Sequence, residues 1–256
     1  MHIKIILSPL LLEGFFWYNN SIVNVIINKK GVFKMTVDDF TNQIIDYCKR
    51  NNKRKVYICG NGGAGKTTLS KKLYELGSKH GKSNIISLDD FMADTQMRKN
   101  SVNTWQENGV EHTYRYTSSN KETYFIKHVY EILYNLDNGN NYYYFPRRYE
   151  KKNNIRLLYA NYFVTIIEGI GTAFMEKDKD DSISIFITCS KEVEEKRRAE
   201  RLETHKERES IELYDENRSS QFRAFVQPKS TEFDIIAESG EDYDIKINED
   251  KICLGK

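Results

Sequence analysis

The stretch Gly60-Asn61-Gly62-Gly63-Ala64-Gly65-Lys66-Thr67-Thr68 decides the fold. It satisfies the pattern G-x-x-x-x-G-K-[ST] at every fixed position. About one random chain in a hundred of this length would carry that pattern, so its flanks matter. Before it, Lys55 to Cys59 predicts a buried strand, and after it Thr67 to Lys79 predicts a helix with Leu69, Leu73 and Leu76 at helical spacing. A strand, a glycine loop and a helix start together make an anion site. The glycines let successive backbone N–H groups point into one concavity. The positive end of the helix faces the same space. Lys66 is placed to reach the β and γ phosphates of a nucleoside triphosphate, and the Thr67 hydroxyl to sit on Mg²⁺. ATP is the expected nucleotide, although nothing in the loop excludes GTP.

Composition bounds the rest. The chain has 256 residues, with Lys+Arg of 39 against Asp+Glu of 37. That balance gives no global basic character, so no nucleic-acid partner is expected. The four cysteines (Cys48, Cys59, Cys189 and Cys253) lie far apart, without metal-ligand spacing or a disulfide framework, and the five histidines form no H-x-x-x-H pair. Cys59 and Cys189 end apolar runs and read as core thiols. A cytoplasmic location is expected for a protein that uses ATP, with no membrane partner; a homo-oligomer is allowed for.

The first 34 residues are unlike the remainder. Ile3 to Leu12 is apolar, but the run is too short to span a bilayer, and no A-x-A-like cleavage site follows it. Thr36-Val37-Asp38-Asp39 reads as a helix cap just after Met35. The expectation is a P-loop domain proper over residues 35–256, preceded over residues 1–34 by an extension of open role or an over-long reading frame. A membrane-associating tail is the rival reading of the extension.

Along the chain, Val37 to Arg50 predicts a helix with Phe40, Ile44, Ile45 and Cys48 on one face. Ser83 to Leu88 predicts a strand ending at Asp89-Asp90-Phe91. Met92 to Tyr116, which includes Trp105, reads as a long excursion with weak helices. Lys121 to Leu136 predicts a helix through Phe125, Val129, Ile132, Leu133 and Leu136. Asn138 to Asn141 is a turn, Tyr142 to Phe145 an extended run, and Pro146 to Arg156 a charged surface loop. Tyr162 to Ile167 and Ile183 to Ile187 are apolar strands, the former ending in Glu168-Gly169. Lys191 to Lys206 and Glu209 to Phe225 are expected helices. Phe233 to Ile236 and Tyr243 to Ile247 are late strands. Alternating strands and helices argue for a mostly parallel central sheet with helices on both faces, a three-layer α/β fold of the P-loop NTPase type.

Ligands of such sheets bind at the carboxyl ends of the strands. Three runs end there with useful groups: the glycine loop, Asp89-Asp90 and Glu168. A carboxylate facing the γ-phosphate can accept the proton of an attacking hydroxyl or orient Mg²⁺. The plainer readings are a turn or N-cap for Asp89 and Asp90, and a helix N-terminal carboxylate for Glu168. Lys196, Arg197, Arg198, Arg201 and Arg208 cluster in the charged helix and its exit. They form either a solvated face paired with the interleaved glutamates or a helical lid whose arginines stabilise a transferring phosphoryl group.

These segments, GNGGAGKTT (60–68), SLDDFM (87–92), VTIIEGI (164–170) and SIFITCSKEVEEKRRAER (184–201), resemble the uridine kinase and phosphoribulokinase-like family of P-loop kinases. The D-x-F and E-G strand ends in that order are more specific than the loop alone. The resemblance implies that Asp89 is the catalytic carboxylate and Glu168 the acid associated with Mg²⁺. It implies that Arg197, Arg198 and Arg201 lead into the lid. The acceptor is then a small molecule: a nucleoside such as uridine or cytidine, ribulose 5-phosphate or pantothenate. The chain departs from uridine kinases at Phe145 to Lys151, where their Tyr-Asp-Phe segment and following His are not found. Tyr114, Arg115, Arg147, Arg148 and Tyr149 are the further candidates for acceptor recognition. The competing expectations are an ATPase switch without an acceptor and a degenerate binding module.

Overall fold

The computed structural model describes residues 15–18, 21–24, 26–28, 32–146, 155–204 and 217–252. In chain order its elements are β1 (Phe15–Tyr18), β2 (Ser21–Asn24), β3 (Ile26–Asn28), β4 (Val32–Met35), α1 (Val37–Arg50), β5 (Lys55–Gly60), α2 (Lys66–Gly77), β6 (Ser83–Ser87), α3 (Thr95–Lys99), β7 (Val102–Glu107), β8 (Val110–Arg115), α4 (Ile126–Asp137), β9 (Tyr142–Tyr144), β10 (Arg156–Leu158), β11 (Val164–Glu168), β12 (Ser182–Thr188), α5 (Lys191–Thr204), β13 (Ile235–Ser239) and β14 (Ile245–Ile252).

The main sheet has the order β3-β4-β14-β13-β12-β5-β11-β6. From β13 to β6 every pairing is parallel. Strand β14 turns back antiparallel on β13, and β4 and β3 continue the antiparallel edge, with Met35 opposite Ile245. The parallel strands are buried on both faces, so they are almost continuously apolar. Their alternation still sorts side chains between layers. Val56, Ile58, Val164, Ile166, Ile183, Ile185 and Ile187 pack with Phe40, Ile44 and Ile45 of α1 and Leu69 and Leu73 of α2. Tyr57, Ile86 and Ile167 face the other way, against Val129, Ile132, Leu133 and Leu136 of α4. Cys59 and Phe186 on that second face meet Phe222, Val226 and Phe233. The three-layer α/β architecture is therefore present.

Helix α1 begins as its sequence predicts: the Thr36 hydroxyl accepts from the Asp39 N–H at 3.0 Å. Helix α4 starts later than expected, at Ile126. The Phe125 N–H donates to the Phe91 carbonyl at 2.8 Å and the Ala93 N–H to the Thr123 carbonyl at 2.6 Å. Those cross-links hold the preceding residues out of the helix, and Phe125 stays exposed.

The region from Met92 to Tyr116 is corrected more substantially. Only α3 is helical, capped by Asp94, whose carboxylate accepts from the Met97 N–H at 2.7 Å. The remainder is a β7–β8 hairpin turning at Asn108-Gly109. Both turn residues have positive φ, 53° and 78°, the requirement of a two-residue type I′ turn that Asn-Gly meets best. Trp105 is buried by His112, Tyr114 and Phe225. The end of the charged loop is also a strand: Arg156–Leu158 pairs antiparallel with Tyr142–Tyr144. Of the helix expected from Glu209 to Phe225, residues 217–221 are helical and Phe222–Val226 forms a π-turn. Its earlier part lies outside the described residues.

Candidate active site

Strands β5, β11 and β6 are neighbours, with Glu168 in register with Ile58 on one side and Ser87 on the other. Their carboxyl ends deliver the three sequence-predicted groups to one place. β5 runs into the loop Gly60 to Gly65. β11 ends in Glu168. β6 ends in the 3-10 turn Leu88–Phe91, which carries Asp89.

The loop is built for a backbone cradle. At Gly60 a Cβ would lie 1.7 Å from the Ile187 carbonyl oxygen, so the strand junction excludes any side chain. Gly65 stands at φ 88° immediately before α2, a left-handed position that glycine takes without strain. Asn61, Gly62, Gly63 and Ala64 complete the turn, and Thr67 and Thr68 fall in the first turn of α2 with Thr67 exposed. The Lys66 amine donates to the Gly60 and Asn61 carbonyls at 2.9 and 2.7 Å, so its charge stays beside the cradle.

Glu168 is buried and accepts from the Ser87 hydroxyl at 2.7 Å. Burial pushes its carboxyl above the usual range, and Asp89 and Asp90 push the same way. The Ser87 hydrogen bond and Lys66 pull against them. Asp89 is half-buried. Asp90 accepts from the Tyr144 hydroxyl at 3.1 Å, which ties the turn to β9.

Helix α5 lies over the loop and its arginines divide. Arg197 is buried. It donates to the Gly63 carbonyl at 2.8 Å, to the Ser239 hydroxyl at 3.2 Å and to the Gly240 carbonyl, and its guanidinium stacks 4.0 Å over Tyr243. It thus pins the glycine loop to the turn after β13. Arg198 pairs with Glu194, whose other oxygen accepts from the Asn61 amide at 2.7 Å. A cavity of about 380 Å³ opens between the loop, α5 and the segment after 217, where Lys191, Arg198, Arg218 and Arg223 bring positive charge. Arg201 belongs to α5, but its side chain, like Arg208, Arg147, Arg148 and Tyr149, lies outside the described residues. Tyr114 and Arg115 sit on β8, away from the glycine loop in sequence but joined to this cavity's wall: the Arg115 carbonyl accepts from Gln221 at 2.8 Å.

The residues present suit a nucleotide and a divalent ion. The loop leaves no room for a side chain at Gly60 and presents backbone beside Lys66. Among the described residues no group of three His, Cys, Asp or Glu could hold a metal alone. An ion here would use the Thr67 hydroxyl and Glu168 together with phosphate oxygens. Three supporting contacts were not apparent in the sequence: Ser87 on Glu168, Glu194 on Asn61 and Arg197 on Gly63. The first had a faint signal, since Ser87 precedes the Asp-containing turn. The other two depend on how α5 packs.

A search of curated protein sequences finds no significant match. Among solved structures, D-glycerate 3-kinase from Cryptococcus neoformans var. grubii superposes with a TM-score of 0.54 at 11% identity, covering 79% of this chain and 95% of that one. A protein assigned as a fructose transport system kinase from Silicibacter sp. TM1040 gives 0.51 at 17% identity, covering 75% and 94%. The YGR205w protein gives 0.51 at 14% identity, covering 80% and 94%. These likenesses show the fold. The family model described as phosphoribulokinase/uridine kinase matches residues 56–246, from the strand before the glycine loop to the last strand of the sheet. That match spans all the groups assembled above, and the chain belongs to the phosphoribulokinase/uridine kinase family of kinases.

Proposed function

We propose that this chain is an ATP-dependent small-molecule kinase in which Asp89 is the general base and Lys66 and the arginines of α5 balance phosphate charge. The observation that carries the proposal is the arrival of the glycine loop, Asp89 and Glu168 at the carboxyl ends of three adjacent strands. Asp89 takes the proton of the acceptor hydroxyl. The acceptor oxygen then bonds to the γ-phosphorus, and the bond to the β-phosphate oxygen breaks to release ADP. Glu168, held by Ser87, and Thr67 would hold Mg²⁺ directly or through water, and the ion would supply charge neutralisation on the phosphates. Arg197 acts as a positioning residue for the loop, leaving Arg198 and Arg201 as the α5 arginines for the phosphates.

We take a nucleoside, uridine or cytidine, as the first acceptor to test, a reading that the uridine kinase members of the family support alongside ribulose 5-phosphate. The fold neighbours add sugar and hydroxy-acid acceptors such as fructose and glycerate. The deciding experiment incubates the purified chain with γ-labelled ATP, Mg²⁺ and a panel of nucleosides, sugars, sugar phosphates, glycerate and pantothenate. Label on uridine or cytidine supports the nucleoside reading. Label on another acceptor keeps the chemistry and moves the substrate. Free phosphate alone, stimulated by no small molecule in the panel, overturns the kinase reading in favour of an ATPase switch.

A further inference from the structure

A second cavity, of about 390 Å³, lies at the opposite end of the sheet. It is bordered by Lys177 and Lys179 of the loop before β12, by Lys121, and by Lys229 after the π-turn. Ser184, near the start of β12, and Asp234, just before β13, form its floor. The P-loop stands at the other ends of these strands.

Lys177 is the unusual group. It is half-buried, and its ammonium donates to the Met175 carbonyl at 3.0 Å and stands 4.3 Å over the Phe233 ring. Among the described residues no carboxylate oxygen lies within the 4.0 Å of an ion pair with it. Burial lowers the Lys177 pKa and Lys229 acts the same way, while Cys59, Glu232 and Asp234 oppose them, so the neighbouring acids offset the cost of withdrawing the ammonium from water only in part. None of the cavity's acids pairs directly with this ammonium. Glu232 pairs with Lys229 at 3.2 Å. One Asp234 oxygen accepts from both the Ser184 N–H at 2.8 Å and the Ser184 hydroxyl at 2.7 Å. Glu176 is exposed, as are Lys121 and Lys179.

We propose that this lysine-lined cavity is a second anion site, separate from the P-loop, that takes a compact polyanion bearing phosphate or carboxylate groups. The ligand supplies the direct ion-pair partner that Lys177 lacks, with Lys121 and Lys179 closing on it from the rim. The site is connected to the catalytic end. Phe233, beneath the Lys177 ammonium, packs edge-on to Phe186 at 5.3 Å and shares a core cluster with Cys59 and Phe222. Cys59 immediately precedes the glycine loop, and Phe222 lines the P-loop cavity.

The test is calorimetric titration of inorganic pyrophosphate, and separately of citrate, into the full chain. Pyrophosphate fills two sites, and Lys66→Ala, which disables the P-loop, leaves one. In that background Lys121→Glu with Lys179→Glu, both on exposed side chains, weakens the remaining site about tenfold or more. Lys177→Met abolishes it. Citrate competing for the remaining site admits carboxylate ligands; citrate failing to bind there restricts the ligand to phosphates. Loss of all pyrophosphate binding in Lys66→Ala overturns the proposal, as does a remaining site indifferent to the Lys121→Glu/Lys179→Glu pair.

Discussion

At the scale of single residues, the two carboxylates at the strand ends differ in what surrounds them, and so in how their removal will read. Asp89 is half-buried at a turn, suited to exchange a proton with a bound hydroxyl. Asp89→Asn keeps the shape and removes the proposed base. Turnover is expected to fall by about 10²-fold or more with nucleotide affinity unchanged; an unaltered kcat would remove Asp89 from the proposed mechanism. Glu168 is the buried one, and burial raises its pKa above the ordinary 4.5. The folded state therefore binds the Glu168 proton more tightly than the unfolded chain. Stability from this group is fully present below the unfolded value and is lost as pH rises through the folded one. Glu168→Gln retains an acceptor for Ser87 without the charge. Without nucleotide, the variant is expected to melt above the parent at neutral pH, with the difference vanishing at acid pH. Its kinase activity should drop even so. Equal melting temperatures across the whole pH range would show that burying the charge carries no cost.

At the scale of elements, α5 controls the shape of the glycine loop through Arg197. Its guanidinium links the Gly63 carbonyl, the Ser239 hydroxyl and the Gly240 carbonyl. Lysine cannot bridge three acceptors in a plane. Arg197→Lys and Arg197→Met are therefore both expected to weaken ADP binding roughly tenfold, because a loop displaced by about 1 Å loses its aim at the phosphates. Rescue by Arg197→Lys would make the residue a simple charge. The same helix shows where sequence reading stops. Its charge pattern locates α5, and the glycine motif locates the loop, because both are local. Which arginine turns inward depends on β13 and the Tyr243 turn, far along the chain. The β7–β8 hairpin was missed for a different reason. Its strands are short and polar, with only Trp105 buried, so no alternation stands out. The Asn108-Gly109 pair was the available signal, and a turn signal without apolar flanks is easily read as loop. The parallel strands and Glu168 were legible because burial on both faces leaves continuous apolar runs whose ends are visible.

At the scale of the molecule, the wall of the P-loop cavity is held to the hairpin through one buried amide. Gln221 has no exposed surface. Its oxygen accepts from the Thr117 N–H at 3.3 Å, from the Thr117 hydroxyl at 3.0 Å and from the Asn120 amide. Its nitrogen donates to the Arg115 carbonyl at 2.8 Å and to Asn217 at 2.6 Å. Arg223 adds an outer tie to Glu107 at 3.0 Å, but that pair is exposed and contributes little. The buried amide therefore decides whether the segment after 217 and the β7–β8 hairpin move together. Gln221→Leu keeps the volume and leaves the Thr117 N–H and Arg115 carbonyl without partners, at a cost of about 1–3 kcal/mol for each buried group. In a chain of this size each kcal/mol lowers the melting temperature by about 2–4 °C. Gln221→Glu restores the acceptor for Thr117 and Asn120 but not the donor for Arg115, so it should recover only part of the loss. The coupling has a kinetic signature as well. Arg218 and Arg223 lie on this segment and line the cavity, so loosening it should raise KM for ATP in Gln221→Leu. A Gln221→Leu protein that melts lower but keeps the parental KM would show that the hairpin braces the fold without shaping the nucleotide site.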